Sequence, residues 1–159
     1  MMTLASEVIS LLQGKTLVTA ESCTGGGIGA ALTAISGASA VYKGGVVSYC
    51  NEVKNRLLNV PETVLNEVGA VSAPVAEAMA RGARKALEAD VAVSVTGLAG
   101  PSGDEFGNPV GTVYIGYADE KRCVSRHFTF TGDRKEIRAA AVEEALKLIV
   151  EYCDKKPAV

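Results

Sequence analysis

The segment Thr19–Gly27 constrains the fold more than any other part of the sequence. It reads Thr-Ala-Glu-Ser-Cys-Thr-Gly-Gly-Gly, follows the short apolar run Thr16–Val18 and precedes the helix-like run Ile28–Ile35. This order predicts a strand that ends in a glycine-rich turn, and the turn opens a helix. Glycines permit backbone conformations that other residues avoid, and the free N–H groups at a helix start attract anions. The same residues are also typical of a tight strand-to-helix connection in which Ser or Thr caps the helix.

The composition is that of a folded protein without features for binding nucleic acid or membranes. The 159 residues predict one domain spanning 1–159, with 48% hydrophobic and 21% charged residues. The net charge of -2 comes without a basic block, which argues against a nucleic-acid partner. The sequence has no signal-peptide pattern and no apolar stretch long enough to span a bilayer. We therefore expect a cytoplasmic protein that does not insert into membranes.

The cysteine and histidine positions argue against two common kinds of site. The four cysteines are widely spaced and form no C-x-x-C pair, which predicts reduced thiols and neither a metal cage nor a disulfide framework. The single histidine, His127, lies in Cys123–Phe130, a run that predicts a strand, so we expect it to be structural. Catalysis by a Ser–His pair or a His-rich metal site therefore has little support.

Periodicity and capping signals predict an alternation of helices and strands. The predicted strands are Thr16–Thr19, Gly44–Tyr49, Val91–Val95, Thr112–Tyr117 and Cys123–Phe130. The predicted helices are Leu4–Leu12, Gly26–Ile35, a short one capped by Asn51, one starting at Pro61, one from Ser72 to Asp90 and a last one capped by Asp133. This order predicts a three-layer α/β/α sandwich with a mixed, mostly parallel central sheet and one antiparallel hairpin. The polar tail beyond Asp154 is expected to fray.

Three segments follow the predicted parallel strands and are expected to share one pocket. They are the turn after Val18, the segment after Tyr49 and the long loop Thr96–Gly111. Ligands of open α/β sheets bind at the carboxyl ends of the parallel strands. Loops as long as Thr96–Gly111 are uncommon inside compact domains and are usually functional or disordered.

A pocket built from these segments contains material for amide or ester hydrolysis without a histidine. Lys54 is the best-placed base, because desolvation lowers the pKa of a lysine. The available nucleophiles are Ser22, Ser39, Ser48, Thr96 and Cys23. The backbone N–H groups of Gly25, Gly26, Gly97 and Gly100 are candidates for an oxyanion hole or a phosphate site. Spacing alone does not choose among these nucleophiles.

Several separated motifs resemble the CinA C-terminal domain family. They are Thr19–Gly26, Gly44–Lys54, Gly69–Ser72, Thr96–Pro101 with Pro109–Val113, and Thr131–Arg134. The resemblance covers nearly the whole chain. It implies a stand-alone nicotinamide-nucleotide amidohydrolase of the PncC type, which converts nicotinamide mononucleotide (NMN) to nicotinic acid mononucleotide and ammonia in pyridine-nucleotide salvage. It also implies a homo-oligomer that uses no metal or cofactor.

The resemblance further implies roles for individual residues. It places the nucleophile at Ser39, with Lys54 as base and Tyr49 assisting. Gly37-Ala38-Ser39 stands where the family usually has Gly-Ser-Ser, and Cys50 stands where a Ser is common. The residues expected to bind or orient the substrate are Glu21, Ser22, Thr24, Gly25, Gly26, Thr96, Gly97, Ala99, Gly100 and Arg134.

Some of these roles have structural alternatives. Glu21 either binds the ribose or fixes the turn, and Arg134 either pairs with the 5′-phosphate or is solvated. Cys23 is an alternative nucleophile, because a thiolate is favoured at a helix N-terminus. Phe106 is either a movable lid or a surface contact. The alternative for the whole chain is a non-catalytic nucleotide- or phosphate-binding regulatory module related to competence/damage-inducible CinA proteins.

Overall fold

Five strands form one mixed sheet in the computed structural model, which describes residues 2–154. The strands are β1 (Leu17–Glu21), β2 (Tyr42–Val47), β3 (Val91–Gly97), β4 (Thr112–Ala118) and β5 (Cys123–Thr129). Their spatial order is β2-β1-β3-β4-β5. β1 lies parallel to both β2 and β3, whereas β4 is antiparallel to both β3 and β5. The predicted hairpin is therefore β4–β5, and β4 joins it to the rest of the sheet by pairing antiparallel with β3.

In the described part of the chain, six α-helices cover the two faces of this sheet. They are α1 (Leu4–Leu11), α2 (Gly27–Thr33), α3 (Asn51–Leu58), α4 (Glu62–Val68), α5 (Ala73–Ala86) and α6 (Arg134–Cys153). Helices α1, α2 and α6 pack together on one face, and α3, α4 and α5 pack together on the other. This arrangement confirms the predicted α/β/α sandwich. Within residues 2–154, none of the helices is long and apolar enough to cross a membrane.

The central position of β1 and β3 follows from their side chains. All five residues of β1 are buried, and so are the first six of β3, as expected for strands covered on both faces. Edge strand β2 instead alternates between half-buried and exposed residues. The carboxyl ends of β1 and β3 therefore lie side by side at the middle of the sheet, where ligand clefts of such folds form.

Local capping signals determine several helix boundaries. The Thr3 hydroxyl accepts the Ser6 N–H at the start of α1. Asp133 and Glu136 form the predicted capping box at the start of α6, each accepting the other's backbone N–H. Asn51 was predicted to cap α3, but it is the first residue of the helix, and Cys50 holds the cap position without a side-chain hydrogen bond.

The structure shifts two boundaries that matter for the site. β1 continues to Glu21, two residues beyond the predicted end, so the glycine-rich turn is confined to Ser22–Gly26. Gly26 closes the turn with a φ of 103°, in the left-handed region that favours glycine. β2 begins at Tyr42 and ends at Val47, earlier than predicted at both ends. The tail beyond Asp154, expected to fray, lies outside the described residues.

Helix α3 is held close to α5 by a glycine. A Cβ at Gly82 of α5 would overlap the backbone carbonyl oxygen of Leu58, the last residue of α3. The two helices approach this closely because Gly82 has no side chain. The contact fixes α3 against α5, and α3 carries Lys54.

Candidate active site

A cleft of about 310 Å³ opens at the carboxyl ends of β1 and β3. Its wall comes from the turn after β1, the segment after β2, the connection before α5, the loop after β3 and the start of α6. The lining residues are Ser22, Cys23, Tyr49, Asn51, Lys54, Ala70, Val71, Thr96, Gly97, Leu98, Ala99, Gly100, Ser102 and Arg134. The three segments predicted to share one pocket therefore do so.

Lys54 is the most unusual residue of this cleft, because a lysine is rarely buried. Its side chain is 1% exposed. The Nζ atom donates to Ser22 Oγ at 2.9 Å, to the Ser48 carbonyl at 2.7 Å and to the Tyr49 carbonyl at 3.3 Å. The three N–H bonds of a protonated Lys54 are therefore matched by three oxygen partners.

Burial lowers the pKa of Lys54 from 10.5 to about 8, because the charged ammonium loses its hydration. A neutral amine has two N–H bonds and one lone pair. The two carbonyl oxygens can take both N–H bonds, which leaves the lone pair directed at Ser22 Oγ. The geometry thus suits the neutral lysine as an acceptor of the Ser22 hydroxyl proton.

The backbone holds Ser22 and the Lys54 partners in place. The Ser22 N–H donates to the Val95 carbonyl at 3.0 Å, which extends the β1–β3 ladder by one residue. The Ser48 N–H donates to the Glu21 carbonyl at 2.7 Å, which extends the β1–β2 ladder in the same way. Ser22 is therefore fixed against β3, and Ser48, whose carbonyl accepts from Lys54, is fixed against β1.

Ser39 does not reach this cleft, and the expected Ser39–Lys54 pair within one chain is contradicted. Ser39 is exposed in the short 3-10 helix Ala38–Ala40, which precedes β2. Lys54 follows β2, so the six residues of that strand separate the two, about 20 Å at ~3.3 Å per residue. Ser22 holds the position beside Lys54 that Ser39 was expected to hold.

Tyr49 and Arg134 lie at the mouth of the cleft. Tyr49 is 63% exposed, and its hydrogen bond with Lys54 is made through its backbone carbonyl. Arg134 donates through Nη1 to the Gly100 carbonyl at 2.6 Å and through Nη2 to the Tyr49 hydroxyl at 3.1 Å. The guanidinium thus bridges the two sides of the cleft through neutral acceptors.

The predicted binding residues of the loop after β3 do line the cleft. Gly97, Ala99 and Gly100 form part of its wall. Thr96 is buried and donates its hydroxyl to the Ala70 carbonyl at 2.8 Å, which ties this wall to the connection before α5. Thr96 therefore fixes the wall, and its hydroxyl proton is already used.

Four predicted binding residues of the glycine-rich turn lie outside the cleft lining: Glu21, Thr24, Gly25 and Gly26. The Glu21 carboxylate is 2% exposed and accepts from the Thr24 hydroxyl and from two N–H groups of α2. The anion at the start of α2 is thus a side chain of the protein itself. Of the two roles considered for Glu21, the structure favours fixing the turn.

Arg138 also contacts the turn, and sequence analysis did not identify it. From α6 it donates to the Cys23 carbonyl at 3.0 Å and to the Thr24 carbonyl at 3.2 Å. A single arginine inside a long helix gives no local signal of such a contact, since the partner lies 115 residues away. Asn51, at the first position of α3, is a further lining residue that was not predicted to bind.

Cys23 is a poor alternative to Ser22 as nucleophile. The thiol is 6% exposed, and burial raises its pKa from 9.0 to about 11. A thiol is nucleophilic as the thiolate, and this shift disfavours that form. Helix α2 does not compensate, because the Glu21 carboxylate already accepts from its N–H groups.

Two remaining sequence expectations concern aromatic and histidine packing. The Phe106 ring lies over Gly69, where a Cβ would come within about 2.6 Å of it, so Phe106 is a packed surface residue in this structure. Asp104 holds the same loop by accepting from Phe106 N, Asn108 N and the Asn108 side chain.

His127 lies in β5 and stacks on Tyr114, as expected of a structural histidine.

Comparison with known proteins agrees with this architecture. The family model described as the CinA C-terminal domain matches residues 1–153. The chain belongs to the CinA C-terminal domain family. Curated CinA-like proteins from Geobacter sp. (strain M21) and Parasynechococcus marenigrum are 50% and 52% identical over 139 and 134 residues. These alignments cover 87% and 83% of this chain, but only 34% and 32% of the relatives.

Solved structures of the CinA superfamily share the whole fold. A competence/damage-inducible protein from Agrobacterium tumefaciens is 38% identical with a TM-score of 0.91, covering 96% of this chain and 94% of that one. A superfamily protein from Klebsiella pneumoniae is 36% identical, also with a TM-score of 0.91, covering 94% and 95%. The chain spans about a third of the length of the curated CinA-like proteins that it matches.

The lowered pKa of Lys54 predicts a pH-dependent stability. Between pH 8 and 10.5, Lys54 is protonated in the unfolded chain but largely neutral in the folded chain. The free energy of unfolding therefore rises with pH in this window. Relative to a Lys54→Met variant, the wild-type free energy of unfolding should gain about 2 kcal/mol from pH 7 to pH 10. Urea denaturation at both pH values measures this difference. Equal pH dependence in both proteins would contradict a lowered lysine pKa.

Proposed function

We propose that this CinA-family domain is an amidohydrolase that converts NMN to nicotinic acid mononucleotide and ammonia, with Ser22 as nucleophile and Lys54 as base. The observation that carries the proposal is the 2.9 Å contact between Lys54 Nζ and Ser22 Oγ inside a buried site. An activated nucleophile needs a base within hydrogen-bond distance, and a desolvated lysine can serve as that base.

The first half of the reaction forms an acyl-enzyme. Neutral Lys54 takes the Ser22 hydroxyl proton as Oγ attacks the carboxamide carbon. The tetrahedral intermediate then breaks its C–N bond, and the Lys54 ammonium returns the proton to the leaving nitrogen, which departs as ammonia. The nicotinoyl group stays on Ser22 as an ester. The Ser48 and Tyr49 carbonyls keep the amine oriented throughout, because they accept its other two N–H groups.

The oxyanion of that intermediate needs hydrogen-bond donors beside the nucleophile. The backbone N–H of Cys23, the residue after the nucleophile, donates to no other residue within residues 2–154, and Cys23 lines the cleft. We assign it as one donor. The Ala99 N–H, on the facing loop, likewise has no acceptor in the described part of the chain and is the second candidate.

The second half of the reaction hydrolyses the ester. Neutral Lys54 takes a proton from water as the water oxygen attacks the ester carbon. Collapse of the intermediate breaks the bond to Ser22 Oγ, which takes the proton back from Lys54. The product is a carboxylic acid that ionises at neutral pH, and both residues return to their starting state.

The mononucleotide as substrate is supported by three features. The resemblance to PncC-type amidohydrolases covers nearly the whole chain, whereas the names of the relatives give a family without an activity. The cleft volume lies at the lower end of the range for small-molecule sites. Arg134 places a cation at the mouth with no carboxylate among its partners within residues 2–154, which suits the 5′-phosphate.

Removal of the nucleophile or the base should abolish turnover. In Ser22→Ala the acyl-enzyme cannot form, and in Lys54→Gln the amide cannot take the hydroxyl proton. We expect each variant to lose on the order of 10³-fold or more in kcat for ammonia release from NMN. Ser39→Ala should keep wild-type activity, because Ser39 precedes β2, whereas the cleft lies beyond the other end of that strand.

The same assay separates the competing hypotheses. Full activity in Ser22→Ala with loss in Ser39→Ala would refute the assignment to Ser22. Thermal stabilisation of the wild-type protein by NMN without any ammonia would instead indicate a nucleotide-binding module that does not turn over.

Arg134 should distinguish the mononucleotide from the nucleoside. In Arg134→Gln the phosphate loses its cationic partner, so KM for NMN should rise about tenfold or more while kcat changes little. Nicotinamide riboside has no phosphate, and its kinetics should differ by less than twofold between variant and wild type. Lys135→Gln, the exposed neighbouring position, is the matched control for lost charge. An equal loss with both substrates would show that Arg134 supports the cleft wall and does not bind phosphate.

A further inference from the structure

Glu21 lies directly before the proposed nucleophile, but its side chain does not face the cleft. The carboxylate is buried on the α2 side of the sheet. Its Oε1 accepts from the Thr24 hydroxyl at 2.7 Å and from the Ile28 N–H at 2.9 Å, and its Oε2 accepts from the Gly29 N–H at 3.0 Å. All three partners are donors, so the carboxylate acts only as an acceptor.

These contacts close the turn into a ring. Helix α2 begins after Gly26, whose position carries no side-chain cap. The N–H groups of its first turn instead bind a carboxylate from the strand that precedes the turn. The chain from Glu21 to Gly29 is thereby tied at both ends, and Ser22 is the first residue inside the ring.

The charge of Glu21 is balanced by these donors and not by a cation. None of the salt bridges within residues 2–154 involves Glu21. Tyr42 and Thr19, hydrogen-bonded to each other at 2.7 Å, line the same small cavity as Glu21. Burial, with a smaller contribution from the Glu21 charge, raises the pKa of Tyr42. The carboxylate thus lies among neutral groups.

The backbone of Glu21 reaches the base as well. Its carbonyl accepts the Ser48 N–H at 2.7 Å, and the Ser48 carbonyl accepts Lys54 Nζ at 2.7 Å. The side chain of Glu21 therefore fixes the turn that carries Ser22. Its backbone carbonyl fixes Ser48, whose own carbonyl orients Lys54.

We propose that Glu21 is the positioning residue of this site: its buried carboxylate holds Ser22 Oγ in line with the Lys54 amine. The proposal rests on the proposed function, because it concerns the same nucleophile and base. It assigns Glu21 no contact with the substrate, in contrast to the ribose contact considered from sequence. A displacement of about 1 Å at a reacting atom can lower a rate about 100-fold.

The test measures Ser22 directly, without the nucleotide. A fluorophosphonate reacts with an activated serine, displacing fluoride and leaving a phosphonyl ester on Oγ, and mass spectrometry locates the label. In Glu21→Gln the amide nitrogen must face at least one N–H donor, so the turn shifts. We expect the labelling rate of Ser22 to fall about 10- to 100-fold. With NMN as substrate, kcat should fall by a similar factor, whereas KM should change by less than threefold.

The pH profile separates positioning from a general effect on the fold or the base. Burial of Lys54 is unchanged in Glu21→Gln, so the labelling rate should still rise with an apparent pKa near 8, as in wild type. Thr33→Val, on the exposed side of α2, is the matched control and should label within twofold of wild type. Thr24→Val removes one of the three donors and should give an intermediate rate; it decides the question if Glu21→Gln does not fold.

The outcomes are distinguishable. Labelling of folded Glu21→Gln, or of Thr24→Val if it alone folds, within twofold of wild type would overturn the positioning role while leaving the proposed function intact. A rise in KM with unchanged kcat would indicate the ribose contact instead. Absence of labelling at Ser22 in the wild-type protein would overturn the proposed function itself.

Discussion

Burial of the Lys54 amine is the constraint on which the rest of the site depends. Removing an ammonium from water is costly, so burial lowers the pKa of Lys54 to about 8, while three oxygen atoms serve as hydrogen-bond partners of the amine. Two of these oxygens are backbone carbonyls and cannot give up a proton, whereas the third is a hydroxyl that can. The same burial that disfavours the charged lysine therefore creates a base and directs it at Ser22.

The fold supplies this arrangement through its central strands. Ser22 and Ser48 each extend a strand pairing of β1 by one residue, so nucleophile and base are fixed by the most buried part of the sheet. Gly82 lets α3 approach α5, and the Glu21 carboxylate takes the place of a helix cap at α2. Side-chain hydrogen bonds connect the walls of the cleft, from Thr96 on one side and from Arg134 at the mouth.

Sequence patterns predict the elements better than they predict side-chain direction. Runs such as Val91–Val95 and the capping box at Asp133 are local signals, and the structure confirms both. Glu21 was placed in the site by resemblance, but it is the last residue of β1, and its side chain does not line the cleft. Ser39 was placed there by resemblance, although it precedes β2 and Lys54 follows that strand. The contact of Arg138 with the turn depends on tertiary packing alone and has no local signature.

The central claim is that burial lowers the pKa of Lys54 enough for its neutral form to be accessible near physiological pH, and that this form accepts the Ser22 proton. NMR titration of the Lys54 side chain, with the resonance assigned by comparison with Lys54→Gln, measures its protonation directly. We predict an apparent pKa near 8 for Lys54, well below the reference lysine pKa of about 10.4. A Lys54 resonance that titrates near this reference pKa would contradict the assignment of Lys54 as the base.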